Sequence, residues 1–125
     1  MGKKKTYKKS EYLVSGIIDS IKKNKGKEVV SIDLRKIEKS ICDFFIICHG
    51  TSSTHITSIA QNIKKEITKE LKEKPWHIEG EDNKEWILLD YFNVVVHIFN
   101  KDKRDFYNLE NLWADAKIDY IEQLA

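Results

Sequence analysis

The chain has 125 residues, 41% hydrophobic and 34% charged, a composition expected of one water-soluble globular domain with its own core. No apolar run approaches the roughly 20 residues that span a bilayer, and the start lacks the apolar stretch of a secretory signal, so the expected address is cytoplasmic. The net charge of +2 is unevenly spread: residues 1–74 carry 17 Lys/Arg against 9 Asp/Glu, and residues 75–125 carry 5 against 11. Five of the positive charges sit in "MGKKKTYKK". The body beyond that stretch is mildly acidic, which excludes the clustered basic face of an autonomous nucleic-acid binder and suits a basic protein partner.

In chain order, residues 1–9 read as a flexible basic tail, and 10–125 as a single domain. Leu13, Ile17 and Ile21 recur every four positions, predicting a helix over 10–25 that Ser10 caps and Gly26 stops. "EVVSIDL" alternates, with Val30, Ile32 and Leu34 on one face and Ser31 and Asp33 on the other, the pattern of a half-buried strand. "CDFFIICH", 42 to 49, is apolar on both faces and ends at Gly50, as a covered central strand would. Cys42 and Cys48 would lie roughly 20 Å apart along that run, beyond disulfide reach, and read as reduced, buried thiols.

"GTSSTHITSIAQNIKKEITKEL" follows, with Ile56, Ile59, Ala60, Ile63, Ile67 and Leu71 at helical spacing. Thr51 or one of the two serines after it supplies the cap. "WHIEG" reads as a short strand, "EWILLDYFNVVVHIF" as two more, and 101–124 as one or two helices with Phe106, Leu109, Leu112, Trp113 and Ala116 inward. The sum is an α/β (α+β) fold: a single mixed β-sheet of about five strands flanked by helices.

The longest apolar stretch poses the functional question. A two-residue turn at Phe92 and Asn93 would pair Tyr91 with Val94, Asp90 with Val95, Leu88 with His97 and Trp86 with Phe99. One face of this hairpin then carries Ile87, Leu89, Tyr91, Val94, Val96 and Ile98, and belongs to the core. The other carries Trp86, Leu88, Asp90, Val95, His97 and Phe99, apolar enough to need cover yet holding an acid. Three readings fit. Asp90 could orient His97 as half of a nucleophilic apparatus, with Cys48 or a hydroxyl of "GTSST" as nucleophile. Asp90 and His97 could satisfy each other inside a core. Or the face could be a partner surface, with Trp86 as aromatic anchor and Asp90 as orienting carboxylate.

Other patterns are weaker. The glycine and hydroxyls of "GTSST" after a buried strand resemble a phosphate cradle, since helix N-termini present free amides to anions. The stretch lacks GxGxxG and GK[ST], and a capped helix after a turn is the better explanation. A nucleotidyltransferase would add magnesium-holding carboxylates on neighbouring strands, and no Asp-x-Asp lies on a strand near Asp90. His49, His55, His77 and His97 show no metal-ligand spacing, so neither metal nor cofactor is expected.

Three stretches, "CDFFIICHGTSSTHITSIAQNI", "WILLDYFNVVVHIF" and "RDFYNLENLWADA", in this order and spacing resemble the ribosomal silencing factor family, also called RsfS or Iojap-related, over about residues 10–117. The resemblance implies a cytoplasmic translational regulator without enzymatic activity, whose fold is similar to nucleotidyltransferases but lacks their catalytic carboxylates. It implies binding to a large-subunit ribosomal protein of the L-fourteen type, which would block joining of the small ribosomal subunit when nutrients are scarce. By position, Trp86, Asp90 and Tyr91 fall on the family's partner-binding stretch, and Leu88 joins them from the hairpin reading. No membrane and no direct sequence-specific nucleic acid contact is expected, and the free protein could form a homodimer through the same surface. The alternative is a divergent nucleotidyltransferase-like or hydrolytic enzyme using Asp90 and His97. One departure stands out: the resemblance implies glycine where this chain has Phe92, at a turn that calls for positive φ.

Overall fold

The computed structural model describes residues 2–113 and 115–121, with side chains placed from Lys9 onward. The elements run α1 (Gly2–Lys23), β1 (Lys27–Asp33), β2 (Phe44–Gly50), α2 (Ser53–Leu71), β3 (His77–Glu79), β4 (Trp86–Asp90) and β5 (Val94–Asn100). Two short helices, α3 (Lys101–Tyr107) and α4 (Leu109–Leu112), lead to a final strand, β6 (Lys117–Tyr120).

One sheet of order β3-β4-β5-β2-β1-β6 organises the molecule. Its centre is the parallel pair β2 and β5, joined by a crossover that contains α2 and the outer strands β3 and β4. All other neighbours are antiparallel. Central position explains composition: every residue of β2 is buried, so both of its faces must be apolar.

Each face of the sheet has its own core. On one, Leu13, Ile17 and Ile21 of α1 and Ile56, Ile59, Ile63 and Ile67 of α2 close over Ile46, Cys48, Ile87, Leu89, Val96 and Ile98. The second core holds Val30, Ile32, Leu34, Cys42, Phe45, Ile47, Val95 and Phe99, covered by Ile37, Leu109, Trp113 and Ala116. Burial pushes the thiols of Cys42 and Cys48 up to about 12, and both cysteines are free.

The chain departs from its sequence-based reading at both ends. The first helix begins at Gly2, well before Ser10. Ser10 therefore caps nothing; it is fully buried, and its hydroxyl donates to Asp43 Oδ2 at 2.6 Å. The helix does stop near Gly26, but Lys25 takes the left-handed position, with φ +60. Glycine is needed at 26 because a Cβ there would lie 2.4 Å from Ile21 Cγ2. Strand β1 is buried on both faces over residues 29–32, since Val29 packs in the first core and Val30 and Ile32 in the second. Strand β6 makes a sixth strand where only helix is expected, and Phe106 and Leu112, expected inward, are 78% and 69% exposed.

Candidate functional site

The β4–β5 hairpin has the expected register: Trp86 opposite Phe99, Leu88 opposite His97, and Asp90 opposite Val95. Its tip is tighter than a simple two-residue turn. Tyr91 and Val94 close the loop through an N–H···O bond of 2.8 Å, and the Asn93 amide also donates to the Tyr91 carbonyl at 3.0 Å. Phe92 sits at the centre of this three-residue turn with φ +77, a conformation that costs a side-chain-bearing residue about 1–2 kcal/mol. Asp90 holds it there, its Oδ1 accepting the Phe92 amide at 2.7 Å. The Asn93 carbonyl is pinned from the other side by the amides of Asp43 and Phe44.

Asp90 and His97 do not pair, so neither the catalytic nor the mutually satisfied reading has its hydrogen bond. His97 instead accepts the Trp86 indole N–H on Nδ1 at 3.1 Å. An acceptor at Nδ1 fixes the neutral tautomer with its proton on Nε2, and that buried atom has no partner among the described residues. Burial holds the imidazole down to about 4, so it is neutral near pH 7. Packed edge-on against Phe45 at 4.8 Å and only 4% exposed, His97 is a core residue. No group of three or more His, Cys, Asp or Glu among the described residues is placed to hold a metal ion.

The face is therefore covered along β5 and open along β4. Val95, His97 and Phe99 are buried, whereas Trp86, Leu88 and Asp90 remain half-buried. Trp86 lies on Phe99 with ring centroids 4.7 Å apart, and Tyr107 from the end of α3 approaches it to the same distance. Tyr91 is not brought together with the other three. It faces the first core, 6% exposed, and its hydroxyl has no hydrogen-bond partner among the described residues.

Two exposed aromatics extend the open strip beyond Asp90. Phe92 is 67% exposed and Trp76 75%, and their rings meet edge to face at 6.2 Å. Trp76 reaches this end because its amide donates to the Asp90 carbonyl at 2.7 Å. Sequence reading missed Trp76. Its only signal was an indole directly after Pro75, at the threshold of a very short strand.

The architecture is thus an open mixed sheet with one face shut by two long helices and a half-open aromatic strip on the other. The family model described as "Ribosomal silencing factor during starvation" matches residues 7–125. The chain belongs to the ribosomal silencing factor family, whose members are regulators rather than enzymes. It is 37% identical over 107 residues to "Ribosomal silencing factor RsfS" of Halalkalibacterium halodurans, covering 86% of this chain and 90% of that one. To the Bacillus subtilis protein of the same name it is 38% identical, covering 75% and 78%. A crystal structure from Bacillus halodurans superposes with a TM-score of 0.75 at 33% identity, over 89% of this chain and 99% of that one. One from Chromobacterium violaceum gives 0.78 at 27%, over 92% and 94%.

Proposed function

We propose that the strip formed by Trp86, Leu88 and Asp90 docks on a basic large-subunit ribosomal protein of the L-fourteen type, and that the bound domain sterically keeps the small ribosomal subunit from joining. The observation that carries this reading is the half-open state of those three side chains beside a fully packed β5. Trp86 presents a ring already stacked and oriented by its bond to His97, so little freedom is lost when a partner covers it. Asp90 uses Oδ1 for the turn and has a second oxygen to accept a charge-assisted bond from Lys or Arg. Tyr91, buried behind the turn, shapes the strip without touching the partner.

Family membership supports a ribosomal partner. A further relative, at 27% identity over 93% of this chain, is the mouse protein named "Mitochondrial assembly of ribosomal large subunit protein 1", which favours the large subunit. The place of action is then the cytoplasmic ribosome, and the outcome is less translation when nutrients are limiting. No helix among the described residues is long and apolar enough to cross a membrane.

The test is co-sedimentation with separated ribosomal subunits, together with a subunit-joining assay. The parent should pellet with large subunits alone and reduce joining. Trp86→Ala should weaken binding by about 2 kcal/mol or more, the loss of an interface anchor. A folded Trp86→Ala protein that pellets like the parent would remove Trp86 from the surface.

A further inference from the structure

The docking strip does not use the opposite motif of the chain, the "GTSST" loop. That loop lies where β2 and β5 end side by side, the parallel pair from which α2 and α3 depart. In open sheets of this kind the gap beyond the carboxyl ends of adjacent parallel strands is where ligands settle. Here it is a crevice of about 480 Å³ lined by His49, Gly50, Thr51, Ser52, Lys101 and Asp102 among others, within the size range of small-molecule sites.

The loop is fixed from outside the crevice. His55 Nε2 donates to the Asn24 carbonyl at 2.8 Å, so its Nδ1 is an acceptor, and it takes the Thr51 amide at 2.9 Å. Ser52 caps α2 by accepting the His55 amide at 3.0 Å. That leaves the amides of Ser53 and Thr54, at the start of a 19-residue helix, without acceptors among the described residues. No acidic side chain occupies this first turn.

A second, independent group faces the same space. His49 is 8% exposed, and its Nδ1 accepts from Arg104 Nη1 at 3.0 Å. Arg104 is itself buried, held by the Lys27 carbonyl and Glu110. Because a guanidinium only donates, the His49 proton must sit on Nε2. That N–H has no partner among the described residues, and it is not sealed from solvent as His97 Nε2 is. His49 is thus a buried imidazole, oriented from behind by Arg104, that lines the crevice and keeps one free donor.

We propose that this crevice binds the terminal phosphate of a small phosphorylated compound, held by the Ser53 and Thr54 amides and the His49 Nε2–H. Three fixed donors with no internal acceptor match the oxygens of one phosphate group. A polyanion is disfavoured. Lys101 is already engaged by Glu28 at 3.4 Å and Asp105 at 3.2 Å, Asp102 lines the rim, and no Phe, Tyr or Trp side chain lines the crevice to stack a base. The proposal does not depend on the docking reading.

The experiment is an amide and imidazole NMR titration of the full chain with inorganic phosphate, ribose 5-phosphate or a short oligoribonucleotide, at ionic strength fixed with chloride. Saturable shifts at Ser53, Thr54 and His49 with the first two compounds are expected. Ser53→Asp places a carboxylate where the phosphate would sit, in a first turn that favours acids, so the helix survives while affinity falls roughly tenfold or more. His49→Gln, which loses the oriented donor, should weaken binding severalfold. Absence of saturable shifts with either small compound, or unchanged binding by Ser53→Asp, overturns the assignment. Saturation by the oligoribonucleotide but not by ribose 5-phosphate overturns it in favour of a nucleic-acid backbone.

Discussion

The sheet face under α1 and α2 is aliphatic and shut, with Ile17, Ile21, Ile56, Ile59, Ile63 and Ile67 all fully buried. The opposite face mixes rings, an imidazole and a carboxylate, and its cover is thin: the segment bearing Leu34, Ile37 and Cys42, four-residue α4, and Trp113. Long helices repeat their apolar residues every turn and can seal a sheet along its whole width. Short segments cannot, so the second core closes fully over β5 and only partly over β4, where Trp86 and Leu88 pack half-buried at its margin. The uncovered edge is where the aromatic and acidic groups collect. A fold can thus keep its stability on one side and hold a surface in reserve on the other.

That contrast predicts unequal costs for truncation. Ile63→Ala, deep in the shut face, should lose about 2–5 kcal/mol of unfolding free energy, and Leu88→Ala, on the open strip, about half of that or less. Urea denaturation of the two variants reads both numbers. Equal losses would mean that the open strip is as firmly packed as the helical side.

A pH dependence sharpens the comparison. His97, buried on the thinly covered face, protonates in the folded chain only near pH 4, against 6.5 for the ordinary imidazole. As pH falls, the unfolded chain takes up the proton first. Stability is therefore full above about pH 6.5, declines between about 6.5 and 4, and levels off below. The His97 contribution to the loss at pH 5 is roughly 2 kcal/mol. His49, also held below its ordinary value by burial, adds in the same direction. Denaturation midpoints at pH 7 and pH 5 should separate for the parent and separate by clearly less for His97→Phe, which keeps the His49 contribution.

The smallest effect concerns the tip. Phe92→Gly should raise stability by about 1 kcal/mol, because glycine accepts φ +77 without strain. A loss of stability instead would show that the Trp76–Phe92 contact outweighs the turn.

How much of this was legible in the sequence follows from how local each signal is. The registers of α2, β2 and the hairpin rest on apolar repeats of the right period, and the structure reproduces Ile56 to Ile67 inward and Leu88 opposite His97. Strand β6 was not legible: "KIDY" is four residues long, mostly exposed, and is recruited by β1 from far away in the chain. Nor was the fate of Asp90 and His97. Alternation placed them on one face, but the competition between the Phe92 amide and the Trp86 indole for their polar atoms is decided by a strained turn and a ring stack. Tyr91 carried two conflicting signals: its position in the motif marked it for the partner, alternation placed it on the core face, and in the structure it faces that core.

The most direct test of the open strip is the affinity of Asp90→Asn for purified large ribosomal subunits. Asparagine keeps an oxygen for the Phe92 amide, so the hairpin stands, but it removes the charge offered to a basic partner. A folded variant that binds at least tenfold more weakly is the predicted result. Affinity equal to the parent's would contradict the account, because the acid on that face would then serve the turn alone.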